Sequence, residues 1–375
     1  MSKLPHIGTS IFSTMSHMAN EHNAINLSQG FPNFPVDNRL KNLVAHWSSQ
    51  EIHQYLPMAG FPPLLEKIAI LTQKSYGRSV HPNTEVLITA GATEGIFATL
   101  QALVHPKEEV IILDPSYDCY ETPILLGNAI PKRIPLKDDF TPNWELIGNT
   151  LNANTKMIII NNPHNPSGRI WSEHDFTQLE QLVTLYPNLL ILADEVYEYI
   201  TFEQKHRSIN QREQLKNRSI IVSSFGKSFH ITGWKIGYLI APEPLMNEIK
   251  KVHQFLVFSV NSMAQYALND YMELVNVNEL GAFYQHKRDF FRSLLHETPL
   301  ELLPSEGSYF QVASYASLSK ENDLDFTKRL VTEYGVAAVP LSPFYADNKQ
   351  TQCIRFCFAK EDHTLQEAAK RLRNL

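Results

Sequence analysis

Lys227 is the residue of this sequence best placed to do chemistry. It lies on a turn of small and polar residues that follows a β-branched run, Ser219 to Val222. Such a turn is expected at the end of a buried strand, where α/β sheets bind ligands. A second lysine, Lys235, follows between Gly233 and Gly237, so two amines would lie near one site. By itself, a lysine on a turn is as often a solvated surface charge.

Asp194 supplies a carboxylate at the end of another strand. The apolar run LLILADEVY, residues 189–197, is typical of a strand buried on both faces. Asp194 would be half buried there, and an unpaired charge out of water is costly. Its partner can be a cationic cofactor nitrogen, and Tyr197 supplies a phenol within reach of the same site. The alternative is that Asp194 caps the start of a helix.

The elements that would position these residues alternate along the chain. From about residue 46 to 280, strand-like runs alternate with helical patterns, which indicates βαβ units and a mostly parallel sheet, an α/β fold. The predicted strands are 85–89, 109–113, 130–135, 156–161, 189–194, 219–223 and 236–240, and the predicted helices are 93–104, 172–186, 242–257 and 261–275.

The two ends of the chain follow other patterns. Residues 1–45 are predicted to form an arm with a short helical piece at 11–18 and a loop rich in Pro and Gly. A long helical pattern at 278–297 leads to an α+β region. Its predicted strands are 309–315 and 353–358, and its predicted helices are 323–334 and 363–375.

Composition excludes several classes of protein. The chain has 375 residues, 43% of them hydrophobic, which is typical of an ordinary globular protein of two or three domains. A net charge of −6 argues against a nucleic-acid partner. No apolar run suits a signal peptide or a membrane span, so a cytoplasmic protein without membrane contacts is expected. The odd number of cysteines, Cys119, Cys353 and Cys357, argues against disulfide frameworks and metal sites.

Several short motifs occur in an order that resembles a known family. Asn165-Pro166-Ser167-Gly168, then Asp194 to Tyr197, then Ser224 to Lys227 with Lys235 and Gly237, resemble the signature set of fold-type I, pyridoxal-phosphate-dependent aminotransferases. The resemblance runs from Gln29-Gly30-Phe31-Pro32 to Arg355-Phe356. It is greatest to the kynurenine and glutamine aminotransferase subgroup, and within that to bacterial methionine aminotransferases.

This resemblance implies a fold with a mostly parallel central sheet flanked by helices and a smaller, discontinuous α+β domain. Residues 1–45 would be the arm and part of the small domain, residues 46–280 the large cofactor-binding domain, and residues 281–375 the rest of the small domain. The resemblance also implies a homodimer with composite active sites.

The resemblance assigns roles toward pyridoxal 5′-phosphate. Lys227 would carry the cofactor covalently and then act as a general base, and burial beside a cation such as Lys235 lowers the pKa of its amine. Asp194 would keep the cofactor's ring nitrogen protonated. The remaining contacts would come from Tyr197 and Asn165 to the 3′ oxygen, from Tyr117 to the ring face, and from Gly91, Ala92, Thr93, Ser224, Lys235 and the partner subunit's Tyr55 to the phosphate.

Arg355 would bind the substrate α-carboxylate in the planar, bidentate way that favours arginine. An arginine between apolar residues on a strand already suggests a buried anion. Gly30 would make a backbone contact to the same carboxylate, since glycine permits close approach. Asn165 would also lie near the substrate. Gly226 and Lys235 stand where many relatives carry serine and arginine, and the kynurenine and glutamine subgroup tolerates both changes.

The predicted side-chain pocket has no cation. Its segments are 10–12, 258–260 and 342–345, and they include Phe12, Phe258 and Phe344. We therefore expect uncharged donors, with methionine first and then glutamine, kynurenine or aromatic amino acids, and a 2-oxo acid acceptor. The alternative is that these aromatic residues only pack the small domain, and a charge elsewhere sets specificity.

Two other functions use the same fold. A β-lyase acting on cysteine conjugates would need nearly the same site residues, and its products, pyruvate and a thiol, would distinguish it. A cofactor-binding regulatory protein would carry an N-terminal DNA-binding module. The arm of about 45 residues has no basic helices and leaves no room for one.

Overall fold

The computed structural model describes residues 2–5 and 7–375. Its strands in this part of the chain are β1 (Ile25–Asn26), β2 (Val86–Thr89), β3 (Glu109–Asp114), β4 (Ile130–Pro135), β5 (Thr155–Asn161), β6 (Leu190–Asp194), β7 (Ser219–Ser224), β8 (Gly237–Ile240), β9 (Glu301–Leu302), β10 (Phe310–Ser314), β11 (Val336–Ala337), β12 (Val339–Pro340) and β13 (Cys353–Cys357).

The α-helices of the same residues are α1 (Ile11–Glu21), α2 (Asn38–Ser48), α3 (Pro62–Tyr76), α4 (Pro82–Glu85), α5 (Ala92–Leu103), α6 (Glu121–Leu126), α7 (Trp144–Thr150), α8 (Glu173–Leu185), α9 (Phe225–Ser228), α10 (Glu243–Leu256), α11 (Ser262–Leu274), α12 (Glu279–Leu295), α13 (Asp323–Tyr334) and α14 (Asp362–Leu372). None of them is long and apolar enough to cross a membrane.

A seven-stranded sheet in the order β2-β8-β7-β6-β5-β3-β4 forms the centre of the described chain. The pairs from β7 to β4 are parallel, whereas β8 runs antiparallel to both β7 and β2. The predicted α/β fold with a mostly parallel sheet is therefore confirmed. The β-branched and leucine side chains on both faces of the inner strands are buried, as expected of a sheet covered by helices.

One edge of this sheet collects the segments that carry the candidate residues. The parallel strands β5, β6 and β7 end there. Because β8 is antiparallel, its first residue, Gly237, pairs with Ser224 at the end of β7 and with Thr89 at the end of β2. The turns after β2, β5, β6 and β7 and the turn before β8 therefore meet at one place.

Some helices were not predicted. Helix α3 begins with two prolines and follows a segment rich in Pro and Gly, a composition that is more typical of a loop. Proline is tolerated in a first helical turn because those N–H groups have no partner within the helix. Helix α2 contains residue 45, the predicted end of the arm, and it packs on α11, where the Trp47 indole donates a hydrogen bond of 2.9 Å to Asp270.

A second, antiparallel sheet in the order β12-β13-β10-β9 is formed near the C-terminus. The arm reaches this region, since β1 pairs in parallel with β11. Met15 and Ala19 of α1 pack against Val331 and Ala337. These contacts agree with a small domain that is discontinuous in sequence, and the exact division into domains stays a prediction.

Candidate active site

A cavity of about 350 Å³ opens where the turns meet at the sheet edge. Most of the predicted site residues line it, although they come from segments far apart in the chain. They are Phe12, Gly30, Gly91, Ala92, Thr93, Tyr117, Asn165, Asp194, Tyr197, Ser224, Lys227, Lys235 and Arg355. Tyr55, Phe258 and Phe344 do not line the cavity.

Lys227 lies on α9, the single helical turn that follows β7. Its Nζ donates hydrogen bonds to the Tyr309 hydroxyl at 3.0 Å and to the Gly30 carbonyl at 3.3 Å. The pKa of this amine is lowered to about 8, mainly by burial and with smaller contributions from the Arg355 and Lys235 charges, while the negative charge of Asp194 acts in the opposite direction. At neutral pH about one tenth of the amine is uncharged, far more than for a free lysine. A neutral amine is what nucleophilic chemistry requires.

Asp194 ends β6 and is buried. It accepts hydrogen bonds from the Tyr120 hydroxyl at 2.7 Å and from the Val196 N–H at 3.3 Å. The bond from the Val196 N–H joins residues two apart in the chain. It is the kind of local contact expected from the alternative in which Asp194 caps the start of a helix. Burial raises the pKa of Asp194, and Lys227 acts against that effect from a distance. Among the residues that the structure describes, this carboxylate has no close cation of its own, and a cationic ring nitrogen in the cavity would supply one.

The neighbouring carboxylate, Glu195, has a different role. It is 1% exposed and accepts hydrogen bonds from His206 Nε2 and from the Ile209 N–H, both at 2.9 Å. Both of its oxygens are thus used within the protein. Of the two carboxylates at this strand end, only Asp194 faces the cavity.

Tyr197, Tyr117 and Asn165 surround the same space. The Lys227 amine lies 5.5 Å from the centre of the Tyr197 ring, and burial raises the pKa of that phenol. Tyr117 is half-buried, with its ring 6.1 Å from that of Phe12. The Asn165 amide oxygen accepts a hydrogen bond of 2.6 Å from Arg355. Asn165 therefore positions the arginine, a role in addition to the predicted cofactor contact.

The start of α5 suits an anion. Gly91 precedes this helix with a φ of 78°, and no side chain caps the first turn. A Cβ atom on Gly91 would lie 3.2 Å from the Lys235 amine, so this lysine rests directly against the glycine. Ser224 lines the same part of the cavity. Free helix N–H groups, a hydroxyl and an ammonium group together form a site for a phosphate.

Arg355 lies on β13 and is 1% exposed. Its Nη2 donates a hydrogen bond of 3.0 Å to the Ser28 carbonyl. Its Nε is buried and has no hydrogen-bond partner among the described residues. The guanidinium is 3.8 Å from the centre of the Phe310 ring. No carboxylate forms an ion pair with it among the described residues. A buried cation with an unused donor fits a carboxylate ligand.

Gly30 and the aromatic residues complete the surroundings of Arg355. A Cβ on Gly30 would lie 3.0 Å from the Phe310 ring, tighter than an ordinary contact, so a larger residue there would press on that ring. The Phe12 ring lies 5.1 Å from the guanidinium and lines the cavity. Phe344, 5.5 Å away, is buried behind it. Phe344 thus packs against Phe12 and Arg355 and does not line the cavity, and its predicted contact with the substrate stays a prediction.

Tyr55 and Phe258 lie away from this cavity. Their rings meet at 5.3 Å, and their exposed fractions are 81% and 46%. A single chain therefore brings neither residue to its own site. That they belong to the site of a partner subunit stays a prediction.

Three further residues of the site were missed from the sequence. Tyr120 binds Asp194, Tyr309 binds Lys227 and, at 2.6 Å, the Gly30 carbonyl, and Asn161 binds the Asn165 N–H at 2.7 Å. Tyr120 lies three residues after Tyr117, the spacing of one helical turn, which was an available signal. Tyr309 was assigned only to a predicted strand.

These residues fit pyridoxal phosphate as one ligand. Lys227 would react with the cofactor aldehyde, and buried Asp194 would pair with its ring nitrogen. The start of α5, together with Lys235, would bind its phosphate. Metal chemistry has no comparable set of ligands, since no group of three His, Cys, Asp or Glu side chains is placed to hold an ion among residues 2–5 and 7–375.

Comparisons with known proteins agree with this geometry. A family model described as aminotransferase class I and II matches residues 22–372. The chain is 45% identical to methionine aminotransferase of Escherichia coli (strain K12), covering 100% of this chain and 98% of that protein. It is 32% identical to kynurenine–oxoglutarate transaminase of Dictyostelium discoideum, covering 98% and 94%. The solved structure of N-succinyldiaminopimelate aminotransferase from Mycobacterium tuberculosis superposes with a TM-score of 0.95 at 31% identity, covering 100% and 99%.

Proposed function

Because this chain belongs to the aminotransferase class I and II family and is a transaminase, we propose that it uses pyridoxal 5′-phosphate to exchange an amino group between an uncharged amino acid and a 2-oxo acid. One observation carries the proposal. A lysine amine with a pKa of about 8, a buried carboxylate and a buried arginine with an unused donor line the same cavity.

Each residue has a defined task in this proposal. Bound pyridoxal phosphate supplies the electron sink for the charge that develops at the substrate Cα. Arg355 binds the α-carboxylate and so fixes the orientation of the Cα–H bond. Lys227, once free, takes the Cα proton as a general base and returns a proton as the reaction proceeds. Asp194 holds a proton on the ring nitrogen through its negative charge, and Tyr120 orients that carboxylate.

The chemistry of the cavity supports an uncharged donor, with methionine first. Phe12 and Tyr117 offer apolar surface next to Arg355, and each cation of the cavity already has a task. The 45% identity to an Escherichia coli protein described as methionine aminotransferase supports the same donor. Discrimination among neutral donors should be modest, because a hydrophobic pocket separates similar side chains by only about 1–3 kcal/mol.

A panel of donors tests this function. We expect kcat/KM for methionine to exceed that for aspartate by about 100-fold or more, since a second carboxylate would be left without a cation. Glutamine, phenylalanine and kynurenine should fall between them. The measurement is the release of each 2-oxo product, with several 2-oxo acids as acceptors. Aspartate as the best donor, or no oxo product from any donor, would contradict the proposal.

We also propose a homodimer with composite sites. Tyr55 and Phe258 are exposed and their rings meet, and Phe255, three residues before Phe258 in the chain, is exposed to 88%. Large exposed apolar side chains that lie together are typical of an interface with another chain. A twofold dimer would use the same surface on both subunits.

A mixed dimer of Lys227→Ala and Tyr55→Phe chains tests whether Tyr55 serves the partner's site. If it does, one site of each mixed dimer keeps both residues, and activity should recover to about half of the wild-type value. A mixed dimer of Lys227→Ala and Asp194→Ala chains is the matched control. Both of these residues lie in one subunit's cavity, so no intact site forms and activity should stay absent. Equal activity of both mixtures would refute the composite site.

A further inference from the structure

Asp118 is a charged residue of the cavity to which the proposed mechanism gives no task. Five charged side chains line the cavity among the described residues, namely Lys227, Lys235, Arg355, Asp194 and Asp118. The first four bind, orient or move protons. Asp118 lies between Tyr117 and Cys119, which also line the cavity, and Asp118 is exposed.

The turn that carries Asp118 is held firmly. Arg133 forms ion pairs with Asp114 at 2.7 Å and with Glu121 at 2.9 Å, one on each side of the turn. Arg133 also donates to the Ser116 hydroxyl at 2.9 Å. The carboxylates that flank the turn are therefore neutralised, and Asp118 is kept at a fixed place beside the cavity.

Asp118 itself keeps an unneutralised charge. None of the ion pairs formed by residues 2–5 and 7–375 includes it. Burial of the turn raises its pKa, and its own backbone N–H and, more weakly, the Arg355 guanidinium lower it. The hydrogen bonds of Arg355 go to Asn165 and Ser28. Asp118 and Arg355 both line the cavity, and among the described residues they form no ion pair with each other.

We propose that Asp118 is a specificity-determining residue that excludes amino acids and 2-oxo acids with a second carboxylate. This inference rests on the proposed function. With the α-carboxylate on Arg355, the substrate side chain extends through the same small cavity. A second carboxylate would then share this cavity with Asp118, and like charges in a partly enclosed site repel more strongly than in open water.

The proposal concerns both half-reactions. The acceptor uses the same cavity as the donor, so a 2-oxo acid with a distal carboxylate meets the same repulsion. The physiological acceptor should therefore be a monocarboxylic 2-oxo acid. Repulsion by Asp118 also differs from the mere absence of a cation. If repulsion selects the substrate, removal of the Asp118 carboxylate alone should weaken the discrimination against a second carboxylate.

The test is Asp118→Asn, which removes the charge and keeps the shape. We expect kcat/KM for glutamate relative to methionine to rise about tenfold, with the value for methionine little changed. A binding measurement that needs no turnover uses succinate and butanoate, two acids with four carbons. By calorimetry on the holoenzyme, succinate should bind the variant about tenfold more tightly than the wild type, and butanoate should bind both equally.

Two control variants separate this effect from others. Asp118→Glu keeps the charge and should keep the wild-type preference. Asp138→Asn removes a fully exposed carboxylate that pairs with Lys349 at 3.5 Å, which changes net charge equally and should leave both ratios unchanged. Unchanged succinate binding in Asp118→Asn would overturn the inference. Failure of the wild type to transaminate methionine would instead overturn the proposed function.

Discussion

Replacing Lys227 with alanine is expected to lower kcat for transamination by at least about 10⁴-fold, because one side chain both attaches the cofactor and acts as the general base. The fold should persist. The amine makes two hydrogen bonds, to Tyr309 and to Gly30, and its lowered pKa means that the folded state gains little from its charge. Turnover of methionine with a 2-oxo acid measures the effect.

A second readout checks how the cofactor is held. Wild-type protein should retain its bound cofactor absorbance through dialysis, whereas Lys227→Ala should lose it or show a shifted spectrum. Lys349→Ala, a surface lysine paired with Asp138, is the matched control and should behave as the wild type. Transamination by Lys227→Ala at the wild-type rate would show that another residue does this chemistry.

The second large effect concerns Arg355. Arg355→Lys should weaken binding of the substrate α-carboxylate by about 100- to 1,000-fold, since loss of a buried, hydrogen-bonded charge partner costs about 2–5 kcal/mol. Lysine keeps the charge but cannot present two parallel donors or lie flat on the Phe310 ring, which is 3.8 Å from the guanidinium. The loss should fall mainly on KM for donor and acceptor alike.

The binding of butanoate isolates this contribution, since that acid has one carboxylate and does not react. Its dissociation constant should rise in Arg355→Lys by a factor similar to that for KM. Arg329→Lys, at a surface pair with Glu321, should change neither value. If KM for methionine is unchanged in Arg355→Lys, the α-carboxylate is bound elsewhere.

Much of the fold could be predicted from the sequence. The seven strands of the central sheet were all assigned from the sequence, and for all but the edge strand β4 the signal was a run of apolar residues, because strands covered on both faces leave a continuous pattern. The antiparallel direction of β8 was not predictable in this way. Direction depends on how the chain returns to the sheet, and a buried strand has the same pattern in either direction.

The sequence by itself determined which candidate residues stand at the strand ends. Asp194 ends a predicted strand, Lys227 and Asn165 follow predicted strands, and parallel strands bring their carboxyl ends to one edge whatever their order. Arg355 was assigned in the same way, from a charge that interrupts a buried strand. A local pattern was sufficient to place each residue, because strand and turn are neighbours in the chain, whereas the predicted roles came from the resemblance to a known family.

Only the tertiary structure decided which side chains face the cavity and what they contact there. Tyr309 contacts Lys227, which lies 82 residues earlier in the chain, and Asp118 lines the same cavity as Arg355. Phe344 is buried behind Phe12, while Phe258 lies on an exposed surface. Such contacts depend on the packing of separate elements and on side-chain direction, and the spacing of residues along one segment contains neither.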